Sequence, residues 1–438
     1  MKVDDILFED IGKVNRDRLK RLKQNLCGDK SKDSSGKAGR HNEWALCLGA
    51  GVSISAGLPD WYGLLARMTA QIFPTGVSFP RPRNTDSDRK NKHGSDGGKN
   101  SVVLQDEVDA FQTAAADFFK KLDGIKDDGE YLMKRESAHQ GQYKFVFENI
   151  NVLESAEYIR DYISQTLLPD SISGEAKEIV EKDINWHIRY FIQQICRSSL
   201  KYQMDSMEIT ETTLGAAARL LKSDSDSIIH DVITYNYDNL LEEYLRTNCG
   251  CDAESIHSVI KTDPLPQFGD RSAWNIYHVH GRIPVFENEW ESISDEVILT
   301  ESDYYREERI NYSWTNTLQS YVLSRADLIF IGFSGADYNF RRILKYINQD
   351  RLNAHSRYIF FSVDDIVNAV FSEEIRKGRC ISECIQEMNQ INGKYAYEKL
   401  MINYLIHAKT IYWFRHGITV IWSSHEELPS DLDGLHLF

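Results

Sequence analysis

WALCLGAGVSISAGLPDWYGLL, residues 44–65, decides the reading of the fold. Residues 44–48 are an apolar run of strand length, broken by Gly49-Ala50-Gly51, after which Trp61, Leu64, Leu65 and Met68 return at helical spacing. Strand, glycine turn, helix is the order found in nucleotide-binding loops. Glycines without a Cβ let backbone N–H groups approach a ligand, and a helix N-terminus adds unpaired donors and a partial positive charge suited to phosphate. The dinucleotide fingerprint G-x-G-x-x-G is not met, because Ile54 stands at the third glycine. On this stretch alone, a plain glycine turn of an α/β protein is an equal reading.

Working outward, the 438-residue chain is long enough for two domains, or for one large core with a substantial insertion. A formal net charge of -15 argues against coating nucleic acid, which relies on clustered Lys and Arg, so direct nucleic-acid binding is not expected. No apolar run reaches the roughly 18 residues of a membrane helix, and the N-terminal residues lack the apolar core of a signal peptide. The expectation is a cytoplasmic protein without membrane association. Seven cysteines at positions 27, 47, 196, 249, 251, 380 and 384 contain no C-x-x-C pair. They read as reduced thiols, and no metal site is expected.

Four stretches of organisation follow. Residues 1–40 read as an N-terminal helical arm and linker, with Ile6, Leu7, Ile11, Val14, Leu19, Leu22 and Leu26 spaced for amphipathic helices and a polar, glycine-rich connector at 28–39. Residues 69–222 read as a helical insertion, with a mobile loop at 76–101 and a helical stripe over 104–122. Residues 41–68 and 223–438 read as the two parts of one α/β domain. There, runs at 228–234, 274–279, 296–299, 328–331, 358–363 and 418–422 are rich in Ile, Val and aromatics. They alternate with helical patterns at 237–245, 314–323, 340–347 and 381–408. The expected fold class is α/β, a Rossmann-like doubly wound, mostly parallel sheet with a large helical insertion.

Ligands of such sheets bind beyond the carboxyl ends of the strands. Four strand ends carry unusual residues: the glycine loop, T-Y-N-Y-D at 234–238, H-V-H-G at 278–281, and G-F-S-G-A-D at 332–337. Glycine turns for phosphates are present at the first and fourth. Asn236, Asp238 and His280 supply a carboxamide, a carboxylate and a base that titrates near neutral pH. Each also has a plainer reading: Asp238 as a first-turn acid of the next helix, His278 as a core residue, and 332–335 as a simple turn.

Taken in order, GAGVSISAGLPDW, TYNYD, HVHG and GFSGAD resemble the sirtuin family. The resemblance covers about 43–65 and 228–422. It implies NAD as ligand, with Gly49, Ala50, Gly51 and Ser53 lining its phosphates and Asp60 and Trp61 near the nicotinamide. It implies that Asn236 positions the ribose and an attacking water, that Asp238 holds the carboxamide, and that His280 is the general base. Gly332, Phe333 and Ser334 would contact the adenosine half, with Asp364 a further candidate.

The chain departs from the family's protein deacylases in two respects. It has no four-cysteine zinc module, and Tyr62 stands after Trp61 where the family's loop has an arginine. Without these it is similar to the sirtuin-like NADases of prokaryotic antiviral defence. That resemblance implies hydrolysis of NAD to nicotinamide and ADP-ribose by the toxic effector of an abortive-infection system, with no metal required. It further implies gating by homo-oligomerisation or by a separately encoded defence partner, such as a HerA-type ATPase, an Argonaute-like protein or another sensor. The alternatives are an NAD-dependent protein deacylase or ADP-ribosyltransferase, and a non-catalytic regulator that binds NAD or ADP-ribose.

Overall fold

The computed structural model describes residues 2–27, 43–72, 151–167, 185, 188–189, 192–222, 229–261, 263, 273–286, 297–309, 313–349, 355–390 and 394–435. The expected loop at 76–101, the connector at 28–39 and the stripe at 104–122 lie outside them. The chain forms two compact units, one of Met1–Leu58, Leu200–Arg282 and Glu307–Phe438, the other of Pro59–Ser199 and Ile283–Arg306.

The first unit is built on seven parallel strands: β1 (Trp44–Leu48), β2 (Ile229–Thr234), β3 (Ile256–Val259), β4 (Trp274–His278), β5 (Asp327–Ile331), β6 (Arg357–Ser362) and β7 (Thr419–Ser423). Their order across the sheet is β3-β4-β2-β1-β5-β6-β7. This is the Rossmann-like α/β architecture that alternating strand and helix patterns predict. Central β1 is buried at all five positions, as an unbroken apolar run requires when helices cover both faces.

Register explains why the four motifs meet. Leu48 pairs with Thr234 and with Ile331, and Thr234 pairs with His278, so these strands end at one level. Gly49, Asn236, His280 and Gly332 follow within two residues of those ends. The chain builds one side of the sheet through β2, β3 and β4, then crosses β1 to build the other through β5, β6 and β7. The loops after β1 and β5 lie where that direction reverses, the place where doubly wound sheets bind their ligands.

Two strand assignments are corrected. β3 is missed by periodicity because it is four residues long, with His257 exposed, so only Ile256 and Val259 carry an apolar signal. Residues 297–299 are not strand. Ile298 and Leu299 are buried, but the Leu299 and Thr300 N–H groups donate to Asp303 Oδ2 instead of to a ladder. The helical pattern over 381–408 also divides, into Ile381–Met388 and Ala396–Arg415.

The second unit, in its described part, packs the helices Trp61–Ile72 and Val152–Leu167 together. Arg160 bridges Glu157 at 2.7 Å and Asp303 at 2.9 Å.

The N-terminal helix Glu9–Cys27 belongs to the first unit and lies against β7, the last strand of the sheet. Asn15 Nδ2 donates to the Trp422 carbonyl at 2.7 Å, and the Trp422 N–H donates to Asn15 Oδ1 at 2.7 Å. One buried carboxamide thus serves the exposed edge of β7 as a neighbouring strand would. Asn15→Ala leaves both Trp422 backbone groups unsatisfied, which costs about 2 kcal/mol or more. A thermal melt of the full chain is expected to show a midpoint several degrees lower; an unchanged midpoint would remove this edge contact from the stabilising interactions.

Candidate functional site

The glycine loop leads directly into a short helix, Ala50–Ser55, with Gly49 extended at its N-cap. It packs backbone to backbone on the loop after β5. The Gly49 N–H donates to the Ile331 carbonyl at 3.0 Å and the Gly51 N–H to the Gly332 carbonyl at 2.9 Å. A Cβ on Gly49 would lie 2.5 Å from the Gly332 carbonyl oxygen, and one on Gly51 2.8 Å from Gly332 Cα. Gly332 itself has φ +62°, and a Cβ there would meet the Val52 nitrogen at 2.5 Å. These glycines first let two loops touch, and two of their N–H groups are engaged in doing so.

Asn236 is held by this loop. Its Nδ2 donates to the Gly49 carbonyl at 3.0 Å and to Ser53 Oγ at 2.9 Å, while its own N–H donates to Thr234 Oγ1 at 3.1 Å. A carbonyl oxygen can face only the amide nitrogen, so the orientation of the carboxamide is fixed and Oδ1 is left as the acceptor. Ser53, having accepted from Asn236, turns its hydroxyl hydrogen to Asp238. Asp238 Oδ1 also accepts from the Leu240 N–H at 3.2 Å, at the start of the helix Leu240–Thr247. Burial raises the Asp238 carboxyl above the usual carboxylate range, and the Ser53 and Leu240 hydrogen bonds pull the other way.

Ser53, Thr234, Asn236 and Asp238 line one small pocket with Leu48, Val52, Leu214, Leu241, Glu242 and Ile276. Glu242 is fully buried. Its Oε1 lies 2.7 Å from His278 Nε2, accepts from Ser258 Oγ at 2.7 Å, and lies 3.9 Å from Arg282 Nε. Burial alone would favour the neutral acid, but the charges and hydrogen bonds of His278, Arg282 and Ser258 prevail and hold it at about 2.

His280 is buried a short way along the same chain segment. Its Nε2 stands 3.5 Å from Asp337 Oδ2, and the Tyr235 backbone hydrogen-bonds the ring. Tyr235 packs edge-on against the ring at a centroid distance of 5.3 Å. Burial lowers the His280 pKa below its usual 6.5, with Asp337 opposing the shift. Asp337 is fixed in turn, because its Oδ1 accepts from the Phe340 N–H at 2.6 Å at the start of the helix Tyr338–Gln349.

The remaining expected residues serve varied local ends. Phe333 turns into the core, 4.8 Å from both Tyr235 and Phe340. Ser334 is exposed and accepts from the Ala336 N–H. Asp364 pairs with Ser362 at the N-terminus of Val363–Val370 and accepts from the His425 N–H at 2.6 Å. Asp60 and Trp61 belong to the second unit, where Asp60 Oδ1 accepts from the Gly63 N–H at 2.6 Å and opens the helix Trp61–Ile72. Sequence reasoning missed Glu242 and Asp337. Asp337 closes the GFSGAD motif, and Glu242 lies four residues beyond Asp238, one helical turn along, so each had a positional signal.

Gly332→Ala is expected to force the two loops apart and lower the thermal midpoint, while Gly250→Ala, at φ +60° with no neighbour within 4 Å, carries backbone strain alone. A smaller loss at Gly332 than at Gly250 would show that the loop contact is soft.

Among the described residues, no group of three or more His, Cys, Asp or Glu could hold a metal ion, the seven cysteines form no disulfide, and no helix is long and apolar enough to cross a membrane. No curated protein matches the chain. Residues 230–381 match the family model of the SIR2-like domain. That span runs from β2 past β6 and holds Asn236, Asp238, Glu242, His278, His280 and Asp337, but not the glycine loop. The carboxyl and the oriented carboxamide beside that loop suit a ligand with a carboxamide at one end. Over residues 230–381 the chain is thus similar to the SIR2-like domain, a likeness that points to NAD as ligand.

Proposed function

We propose that the chain is an NAD glycohydrolase, releasing nicotinamide and ADP-ribose. The observation that carries this reading is Asn236. Both hydrogens of its side-chain amide are bound by protein, so its Oδ1 remains as a fixed acceptor, suited to orienting water. Asp238 holds the carboxamide of nicotinamide. As the ribose C1′–nitrogen bond breaks, its electron pair leaves with nicotinamide, and water held by Asn236 adds to C1′. His280, neutral because it is buried, takes the proton that this water loses. Asp337 orients the ring and stabilises the imidazolium that forms. Water as acceptor agrees with the absence from the sequence of the four-cysteine module and loop arginine that accompany peptide deacylation in the family it resembles.

The role we propose is that of a toxic effector in antiviral defence. Its support is a combination read from the sequence, a helical insertion, TYNYD, the stretch HGITVIW at 416–422 and no four-cysteine module, which resembles defence NADases. An unrestrained NADase would deplete its own cell, so the same reading includes gating by homo-oligomerisation or by a separately encoded partner.

Nicotinamide release measured on the full chain, with and without the product of a neighbouring gene, tests the activity. Asn236→Ala and His280→Ala are each expected to reduce kcat by about 100-fold or more while the chain remains folded by circular dichroism. Full turnover in either variant would overturn these roles. The acid limb of the rate profile should report His280: the rate falls as pH drops through its lowered pKa, below 6.5. Asp337→Asn removes the charge that favours the protonated ring, so the limb should move to still lower pH with a reduced kcat. A limb that moves upward would exclude Asp337 as the partner.

A further inference from the structure

Two carboxyl groups line the pocket, and their surroundings differ in kind. Glu242 Oε1 collects His278 Nε2 and Ser258 Oγ at 2.7 Å each, with Arg282 Nε at 3.9 Å. Among the described residues, Asp238 receives the Leu240 N–H and the Ser53 hydroxyl, and no cation is bonded to it. Both stand at the start of one helix, Leu240–Thr247, a single turn apart, so they face the same small space.

The His278 ring is held on one side only. Its Nε2 meets Glu242, and its Nδ1 has no hydrogen-bond partner among the described residues. The pairing is thus specific: a buried histidine in register with β2, two residues before His280, serves one buried glutamate in the pocket wall.

We propose that Glu242, clamped by His278 and Ser258, is a fixed anion that sets the proton occupancy of Asp238, and with it whether Asp238 meets the ligand's carboxamide as donor or as acceptor. Glu242 is then a positioning residue acting through Asp238. The charged and titratable groups facing Asp238 are Glu242 from its own helix and His278 from β4, and Ser53 contributes its hydroxyl from Ala50–Ser55. Glu242 repels a second negative charge in the pocket, while His278 partly offsets it. The Asp238 carboxyl lies above the usual carboxylate range, chiefly through burial, with the Glu242 charge adding a smaller upward push, and Glu242 lies far below that range. Environments that drive two neighbouring carboxyls apart are how a site assigns a proton donor and a fixed charge. A protonated Asp238 donates to the carbonyl oxygen of a carboxamide; an ionised one accepts from its amide nitrogen.

This inference rests on the assignment of Asp238 to the carboxamide, and its test does not need turnover. The full chain is labelled with ¹³C at aspartate carboxyls, and the Asp238 signal is assigned by its loss in Asp238→Asn. Its titration is then followed without ligand. Glu242→Gln keeps an acceptor for His278 and Ser258 but removes the charge, so the Asp238 midpoint should fall by about one pH unit. An unchanged or higher midpoint overturns the proposal. Should Glu242→Gln fail to fold, His278→Gln decides with the opposite sign. It keeps a donor for Glu242 but removes the charge that partly offsets it, so the Asp238 midpoint should rise, and an unchanged or lower one overturns the proposal. Nicotinamide is the binding probe: its affinity should change across the Asp238 midpoint, and that change should move with the midpoint in Glu242→Gln. An affinity change that stays in place would likewise overturn it. Failure of NAD hydrolysis in a separate assay, with the midpoint shift intact, would discard the activity and leave the Asp238–Glu242 coupling standing.

Discussion

Backbone touches backbone where the loop after β1 meets the loop after β5, and this contact leaves no room for a Cβ on Gly49, Gly51 or Gly332. It lies where the sheet reverses direction, so the loops that a doubly wound fold would splay apart are instead joined by two hydrogen bonds. The position of the Gly49 carbonyl follows from it. So does Asn236, which donates to that carbonyl, then Ser53, which accepts from Asn236, and then Asp238 beyond Ser53. One steric constraint is thereby passed through three side chains to the pocket.

Charge burial adds a second layer. Two histidines from one short segment, His278 and His280, each face a carboxylate near the start of a helix that follows another strand: Glu242 in Leu240–Thr247 after β2, and Asp337 just before Tyr338–Gln349 after β5. The two pairs are unequal. Glu242 and His278 approach to 2.7 Å with Ser258 and Arg282 nearby, and a buried charge so well provided for is held ionised. His280 and Asp337 stand at 3.5 Å, and burial dominates at the imidazole, favouring the neutral ring. The tight pair suits a fixed field, and the looser one suits a group that must gain and lose a proton.

Much of the fold was legible because its signals are local. Apolar runs of five or six residues followed by Gly, Asn or His mark the ends of β1, β2, β4 and β5, and the parallel register then brings those ends together without further information. The rest depends on contacts between segments far apart in the chain. β3 is too short and too polar on one side to announce itself, and the buried residues Ile298 and Leu299 resemble strand although the Leu299 N–H goes to the Asp303 side chain. At the site, Asn236, Asp238 and His280 stood out by type and position. Glu242 did not, because a glutamate in the first turn of a helix is ordinarily a solvated, dipole-favoured residue. Only the fold, by stacking β4 beside β2, puts His278 over it. Phe333 shows the converse: it belongs to a recognisable motif, yet its ring fills the aromatic cluster with Tyr235, Phe330 and Phe340.

Position 236 shows why the residue type matters as much as the place. The side chain must donate twice, to the Gly49 carbonyl and to Ser53, and still offer an acceptor. An aspartate of the same shape has no N–H, so it would set two oxygens against the Gly49 carbonyl and would compete with Asp238 for the Ser53 hydroxyl. A glutamine has the right groups on a stem one carbon longer, in a place where the loop backbone cannot retreat because Gly332 is already against it. Asparagine alone meets the bond count and the length together. The glycine contact and the carboxamide are therefore one device: the first fixes where the acceptor of the second will lie, and neither has that use without the other.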